Sequence, residues 1–84
     1  MDESSGVGVI DKSVLVLDAV AGAPRSLAHL VTATGLPRAT AHRLALALEH
    51  HGLIARDDDT RFVIGPRLRQ WGGEVDPLLP RAQA

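Results

Sequence analysis

The side chains best suited to chemistry lie together in one short segment, residues 37–43. Arg38 and Arg43 carry guanidinium groups, which bind phosphate oxygens or the acceptor edge of guanine. Small and hydrogen-bonding residues lie between them, and at the start of a helix such residues can contact base edges in a DNA major groove. The residues predicted to contact DNA from this segment are Arg38, Ala39, Thr40, His42 and Arg43. The alternative is an ordinary solvated helix face that carries two arginines by chance.

Two short helices with a sharp corner between them are predicted to position this segment. Ser26 is a typical N-cap for the earlier of these two helices, and Gly35 suits the left-handed residue that ends it. Pro37 fits the first turn of the second helix, which extends to about residues 50–51 and ends at Gly52. The residues predicted to face inward from this second helix are Ala41, Leu44, Ala45 and Leu48. Its outward face then holds the candidate DNA contacts, with Thr40 at the boundary.

A β-hairpin is predicted directly after this helix, because two β-prone runs, residues 53–56 and 61–64, flank a four-residue loop. In that register Arg56 lies opposite Arg61. The face predicted to pack on the helices comprises Leu53, Ala55, Phe62 and Ile64.

Three further residues, Ser26, Arg56 and Arg61, are predicted to contact the DNA backbone. Ser26 begins a helix, whose free N–H groups and dipole suit a phosphate, although it can equally be a simple cap. The hairpin arginines suit phosphate or the minor groove. The aspartates of residues 57–59 would be repelled by DNA, so we expect this solvated tip to point away from the duplex.

The order of these elements predicts a mainly α-helical fold with a small β-hairpin, a winged helix-turn-helix spanning residues 9–72. Residues 1–8 are predicted to be disordered, and residues 73–84 to form a tail or the start of a linker. A first helix, from about residue 12 to 21 with Asp11 as its N-cap, is apolar on more than one side. Either both sides are buried within the monomer or one side meets a second subunit.

Composition limits the classes of protein to which the chain can belong. Its net charge of -1 conceals an uneven distribution, since residues 19–48 hold no carboxylate but include Arg25, Arg38 and Arg43. No apolar run approaches the roughly 20 residues of a membrane span, and the acidic start is unlike a signal peptide. The absence of cysteine excludes disulfides and fits a reducing compartment. These observations predict a cytoplasmic protein with no membrane partner.

Catalysis and metal binding find no support in the sequence. His50 and His51 are adjacent, so they leave a helix about 100° apart and cannot chelate one ion together. His29 lies in a different helix, and no HExxH pattern or cysteine accompanies it. A chain of 84 residues has little room for a cleft that excludes water. We therefore predict no enzyme activity, no metal and no cofactor.

Three stretches of sequence resemble the N-terminal domain of IclR-family regulators. They are Gly-Leu-Pro-Arg-Ala-Thr-Ala-His-Arg-Leu at residues 35–44, Ala-Leu-Glu and His-Gly-Leu within residues 47–53, and Arg-Phe-Val-Ile-Gly-Pro-Arg-Leu at residues 61–68. The opening, Gly-Val-Gly-Val-Ile-Asp-Lys-Ser-Val-Leu-Val-Leu at residues 6–17, further resembles the actinobacterial NdgR-like branch linked to amino-acid metabolism. The resemblance covers residues 6–72.

The resemblance implies a homodimeric or tetrameric repressor or activator that binds a palindromic operator in double-stranded DNA. Arg38, Thr40 and Arg43 match positions commonly used on DNA in such proteins. The first helix takes part in subunit contacts in the family, as does the last helix, which is predicted here from about residue 67 to 72. The residues of the first helix predicted to dimerise are Val14, Leu15 and Val16.

Two features depart from the family pattern: Thr60 replaces the usual wing-turn glycine, and the 84 residues are expected to be an excised fragment or a natural truncation without the family's large C-terminal effector-binding domain. The predicted function is therefore sequence-specific DNA binding by a transcriptional regulator of IclR type that lacks the effector domain. The alternative is an interaction module that forms mixed dimers with full-length regulators through its first helix.

Overall fold

The computed structural model describes residues 6–73 of the chain. The elements in these residues are α1 (Gly8–Gly22), α2 (Leu27–Thr34), α3 (Arg38–His50), β1 (Ile54–Arg56), β2 (Phe62–Ile64) and α4 (Pro66–Gly73). Three helices followed by a two-stranded antiparallel hairpin confirm the predicted winged helix-turn-helix. Residues 1–5 of the segment expected to be disordered, and residues 74–84 of the expected tail, lie outside the described residues, so both domain boundaries stay predictions.

Helix α1 begins earlier than predicted, and Asp11 is not its N-cap. Val7 occupies the N-cap position, and its carbonyl accepts the backbone N–H of Asp11 at 3.0 Å. Asp11 lies instead in the first helical turn, where a carboxylate interacts favourably with the helix dipole. The helix already includes Gly8, Val9 and Ile10, which precede Asp11. The apolar pattern, rather than the first polar residue, therefore marks the start of α1.

Both predicted caps of α2 are confirmed. The Ser26 hydroxyl oxygen accepts the backbone N–H of His29 at 3.1 Å. Gly35 has a φ of 73°, and its N–H donates to the Val31 carbonyl at 2.9 Å. A residue with a Cβ is strained in this left-handed conformation, so glycine ends α2 and lets the chain turn sharply into α3.

The corner after Gly35 positions α3. Leu36 is buried there, and its N–H donates to the Thr34 hydroxyl at 3.2 Å. Pro37 takes the N-cap position rather than the first turn, and its carbonyl accepts the Ala41 N–H at 2.9 Å. Of the predicted inward residues, Ala41, Ala45 and Leu48 are buried and Leu44 is half-buried. The predicted orientation of α3 is therefore confirmed.

The predicted register of the hairpin is wrong by one residue. The observed partners are Ile54 with Ile64, Ala55 with Val63 and Arg56 with Phe62. Five residues, 57–61, separate the strands, so Arg56 does not lie opposite Arg61. Burial explains the difference, because this register places Ile54 and Phe62, which are 1% and 2% exposed, on the inner face. The predicted register would have placed the smaller Ala55 there instead of Ile54.

The loop between the strands is organised by Asp57. Its carboxylate accepts the backbone N–H groups of Asp59 and Arg61, each at 2.9 Å. Its backbone N–H donates to the Arg61 carbonyl at 2.9 Å, and its carbonyl accepts the Thr60 N–H at 3.0 Å. Asp57 and Arg61 thus pair across the loop and leave the three residues 58–60 between them. Thr60, the last of the three, has a φ of 62°, the left-handed conformation that typically closes a three-residue hairpin loop. These bonds account for the additional residue in the loop.

A backbone bridge at Arg25, which was not predicted from the sequence, ties the hairpin to the start of α2. The Phe62 N–H donates to the Arg25 carbonyl at 2.7 Å, and the Arg25 N–H donates back to the Phe62 carbonyl at 3.0 Å. The Arg25 side chain donates to the Ala19 carbonyl at 2.9 Å. Arg25 therefore connects α1, α2 and the wing, so that the wing is held beside the helix-turn-helix unit.

The core lies between the three first helices and the inner face of the hairpin. Its buried members are Val16, Val20, Leu30, Leu36, Ala41, Ala45, Leu48, Ile54 and Phe62. Val16 has no exposed area and is a core residue, so including it among the dimerisation residues was wrong. Val14 and Leu15 are 47% and 44% exposed. One side of α1 is therefore buried within the monomer and the other is exposed.

Helix α4 follows the hairpin, with Leu68 half-buried and Trp71 exposed. Among residues 6–73, no helix is long and apolar enough to cross a membrane.

Candidate nucleic-acid interface

The outward face of α3 carries the residues that the sequence singled out. Arg38, Ala39, His42 and Arg43 are exposed, and Thr40 is half-buried at the edge of the face. Positions four apart in a helix lie on one side, so Arg38 with His42, and Ala39 with Arg43, form two adjacent rows. The structure therefore brings all five residues together on one exposed surface at the N-terminal end of α3.

The two arginines of this surface keep their charges available to an external anion. Within residues 6–73, neither Arg38 nor Arg43 forms an ion pair with a carboxylate. The nearest acidic residues along the chain, Asp18 and Glu49, flank the carboxylate-free stretch instead of interrupting it. An exposed cation without a counter-ion favours the approach of a polyanion such as DNA.

Lys12 extends this surface from α1, and it was not among the residues predicted from the sequence. A crevice of about 240 Å³ between α1 and α3 is lined by Val9, Lys12, Thr40, Arg43 and Leu44. Lys12 is the only lysine of the chain. The sequence contained one relevant signal, the apolar run that starts at Val9, since an earlier start of α1 brings that end of the helix within reach of α3. The surface formed by Lys12, Arg38 and Arg43 is called the cationic face below.

Ser26 lies half-buried at the start of α2. Its hydroxyl oxygen is occupied as a helix cap by the His29 N–H. A hydroxyl that accepts one hydrogen bond keeps its own proton as a donor. The cap role is therefore observed, and the predicted phosphate contact remains compatible with it.

The wing arginines differ from those of α3, because both are paired within the chain. Arg61 forms ion pairs with Asp57 at 3.1 Å and with Asp59 at 3.2 Å. Arg56 lies 3.5 Å from the Glu49 carboxylate, and its guanidinium lies over the Phe62 ring at 4.4 Å from the centroid. Much of the positive charge of the wing is thus neutralised before any DNA arrives.

The carboxylate of Asp57 is held in its charged form by the loop. The backbone N–H of Arg61 is the main cause of the lowered pKa of Asp57, followed by the N–H of Asp59 and by the Arg61 charge and side chain, while desolvation opposes them. A charged Asp57 keeps Arg61 folded back on the wing tip. Arg61 can therefore contact a phosphate through the part of its guanidinium that the two carboxylates leave unoccupied, or by exchanging one of them for the phosphate.

The histidines do not form a metal site in the described part of the chain. His50 and His51 pack edge to face at the end of α3, with ring centroids 5.0 Å apart. Among residues 6–73, no three His, Asp or Glu side chains are arranged to hold a metal ion.

Comparison with known families identifies this arrangement. Residues 9–58 match the IclR helix-turn-helix domain. The chain belongs to the IclR helix-turn-helix family. Residues 9–58 of this IclR-type domain include α2, all of α3, β1 and nearly all of α1, and therefore the whole cationic face. No curated protein sequence matches the chain.

Solved structures place the same fold in larger proteins. The repressor BlcR from Agobacterium tumefaciens is 29% identical with a TM-score of 0.71, and the match covers 92% of this chain and 32% of BlcR. An IclR-family protein from Rhodococcus sp. is 26% identical with a TM-score of 0.72, over 88% of this chain and 30% of that one. HmgR from Pseudomonas aeruginosa shares the fold at 22% identity and a TM-score of 0.77, over 92% and 33%. This chain spans about a third of the length of each.

Family membership decides the class of the protein. The chain carries the helix-turn-helix domain of the IclR family of transcriptional regulators. This family is not enzymatic, which agrees with the prediction of no catalytic activity.

Proposed function

We propose that this IclR-type domain binds a specific sequence of double-stranded DNA by inserting the N-terminal half of α3 into the major groove. The observation that carries the proposal is the exposed face of α3, on which Arg38 and Arg43 have no carboxylate partner within residues 6–73. Ala39, Thr40 and His42 lie between them, where they approach base edges, and Ala39 leaves room for a thymine methyl group.

The contacts of the proposed complex divide into two groups. Arg38, Thr40 and His42 contact base edges and so contribute sequence preference. Lys12 and Ser26 contact phosphates on either side of the groove, and Arg43 reaches a phosphate or a guanine. The wing contributes less affinity than unpaired arginines would, because Glu49, Asp57 and Asp59 already offset the charges of Arg56 and Arg61.

We also propose that two copies of the domain associate through exposed residues of α1 and through α4. Together the two copies bind a palindromic operator. The support is Val14 and Leu15, which are apolar and about half exposed on α1. A dimer on two half-sites about one DNA turn apart binds much more tightly than one small module. The resemblance of residues 6–17 to the NdgR-like branch supports assignment to that branch and to the cytoplasm.

The proposal is tested by titrating the chain against random-sequence duplex DNA in fluorescence anisotropy, at several salt concentrations. We expect the affinity of the wild type to fall steeply with salt, because phosphate contacts release counterions. The double variant Arg38→Gln/Arg43→Gln should bind weakly, with a salt slope smaller by about 1 for each phosphate that it no longer neutralises. The matched control, Arg67→Gln/Arg69→Gln, removes the same charge from α4. Equal losses in the two variants, with the α4 variant dimerising as the wild type does in sedimentation, would contradict a DNA site on α3.

A second function, the mixed-dimer module, is favoured by the same exposed apolar residues of α1. It predicts a folded chain that fails to bind DNA at low salt but co-purifies with a full-length IclR-family regulator. Sedimentation of the chain with duplex DNA, in the presence and absence of such a regulator, distinguishes the two functions, because only the mixed-dimer module requires the partner for any effect on DNA.

A further inference from the structure

The crevice between α1 and α3 has a composition that DNA contact alone does not require. We propose that it binds a small organic anion, a carboxylate carried on a short apolar group, and that this anion competes with DNA. The competition rests on the proposed function, whereas the binding of the anion does not. No such ligand site is needed for α3 to contact bases, so the crevice adds a second activity to the domain.

Charge is the first argument for an anionic ligand. Lys12 of α1 and Arg43 of α3 line the same crevice, and neither forms an ion pair within residues 6–73. Two like charges that share a partly enclosed space repel each other, and an anion between them relieves this repulsion. The Thr40 hydroxyl lies in the same wall and can donate a hydrogen bond to a carboxylate oxygen.

The remaining walls and the size of the crevice specify the rest of the ligand. Val9 and Leu44 contribute apolar side chains, which a phosphate group alone would leave in contact with water. The volume of about 240 Å³ equals that of about eight water molecules at about 30 Å³ each. It is therefore smaller than the pockets of about 300–1,000 Å³ that hold drug-sized molecules. A carboxylate with a chain of about four or five carbons fits both the charge and the volume.

Competition with DNA follows from the residues shared by the two sites. Lys12 and Arg43 belong to the cationic face, so an anion held between them occupies two of the groups that would otherwise bind the DNA backbone. A bound carboxylate also adds a negative charge beside the groove that α3 enters. The anion and DNA therefore exclude each other without any change of fold.

The binding step is tested without DNA, by recording amide NMR shifts of the full chain during titration with sodium pentanoate at constant ionic strength. Sodium acetate supplies the charge without the apolar chain, and pentanamide supplies the chain without the charge. We expect pentanoate alone to produce saturating shifts, centred on residues 9–12 and 40–44. Equal shifts with acetate would mean a general salt effect, and equal shifts with pentanamide would mean a purely apolar site; either result overturns the proposal.

Three variants locate the ligand. Lys12→Gln should abolish saturation by pentanoate, and Val9→Ser, at a position that is 65% exposed, should reduce the pentanoate response to that of acetate. Arg69→Gln removes one positive charge from α4, away from the crevice, and should leave the pentanoate response unchanged. If Arg69→Gln weakens the response as much as Lys12→Gln does, the anion responds to total charge and the site is wrong.

The competition step uses the anisotropy titration with duplex DNA. With pentanoate at about twice its own Kd, the Kd for DNA should rise about threefold, which is the factor expected for two ligands that exclude each other. Acetate at the same concentration should change it far less. If pentanoate saturates the crevice while the affinity for DNA is unchanged, the competition is wrong and the proposed DNA binding is unaffected. If the chain does not bind DNA at all, the proposed function fails, and the NMR result still decides the anion site.

Discussion

Thr60 has a φ of 62°, which places a β-branched residue in the left-handed region at the wing turn. This conformation costs a non-glycine residue about 1–2 kcal/mol, and glycine itself costs about 0.5–1 kcal/mol in chain entropy. We therefore expect Thr60→Gly to raise the free energy of unfolding by about 0.5–1 kcal/mol, measured by urea denaturation. Thr32→Gly, on the exposed side of α2, is the control and should lower it. A loss of stability in Thr60→Gly equal to that of the control would show that the turn is not strained.

Asp57 makes the stability of the wing depend on pH. Its pKa is lowered from 3.8 in the folded chain, chiefly by the backbone N–H of Arg61. A carboxyl group with a lowered pKa stabilises the folded state above its unfolded pKa, and this stabilisation disappears as the pH falls through the folded pKa. The stabilisation by Asp57 is therefore complete near pH 6 and is lost as the pH falls through the folded pKa, which lies below 3.8.

We expect Asp57→Asn to be less stable than the wild type at pH 6, and the two proteins to converge as the pH falls through the lowered folded pKa of Asp57. Thermal unfolding followed by circular dichroism across this range measures the difference. Asp58→Asn removes a neighbouring charge that makes no hydrogen bond to Arg61 and should keep the pH dependence of the wild type. A constant difference between wild type and Asp57→Asn at every pH would exclude linkage through Asp57.

At the scale of elements, the junction between the hairpin and α4 depends on Gly65. Gly65 is buried, and its N–H donates to the Leu53 carbonyl at 2.9 Å. A Cβ there would overlap the Gly52 carbonyl oxygen and would lie 2.8 Å from the backbone N and C of Ile54. These neighbours are backbone atoms, so they move only if the base of the hairpin moves.

We expect Gly65→Ala to lower the free energy of unfolding by about 1–3 kcal/mol, as other overpacked substitutions do. Gly72→Ala is the matched control, because a Cβ there meets no atom within 4 Å and alanine favours the helix. Urea denaturation of both variants separates the steric effect from the general effect of adding a methyl group. A Gly65→Ala protein as stable as Gly72→Ala would show that the junction can move without cost.

At the scale of the whole molecule, α1 presents apolar side chains on both of its sides. Val16 and Val20 face the core, while Val14 and Leu15 are about half exposed in the monomer. Apolar residues grouped on one exposed helix side are typical of a subunit interface. We therefore propose that the domain reaches its full burial of apolar surface only in an assembly, and that its operator affinity depends on that assembly.

We expect Val14→Glu to convert a concentration-dependent dimer into a monomer in sedimentation velocity, and to weaken binding to a two-half-site duplex more than to a single half-site. Ala33→Glu is the control, because Ala33 is also apolar and exposed but lies on α2, away from the proposed subunit and DNA contacts. Substitutions at such exposed positions usually change monomer stability by no more than about 0.5 kcal/mol. A wild type that remains monomeric at every concentration would contradict the proposed interface.

The order of the helices, the caps of α2, the corner and the two faces of α3 follow from the sequence, because each depends on residues within one or two helical turns. Ser26, Gly35 and the inward row of α3 act through neighbouring backbone and through helical periodicity. The five candidate residues of α3 could therefore be placed on one exposed surface without coordinates. The start of α1 was misplaced because an aspartate one turn inside the helix resembles an N-cap.

Only the tertiary structure decided the hairpin register, the bridge at Arg25, the ion pairs of the wing and the crevice beside Lys12. The bridge and the crevice depend on residues distant in sequence, and the register depends on which of two side chains is buried. The ion pairs of Arg61 depend on the loop geometry that this register sets. Ile54 rather than Ala55 faces the core because the larger side chain gains more by burial. Arg61 and Arg38 are the same type of residue, but their surroundings differ. The loop that Asp57 organises places two carboxylates beside Arg61, while Arg38 on α3 has no carboxylate partner among residues 6–73. Residue type thus determined which side chains could bind an anion, and packing determined which of them are free to do so.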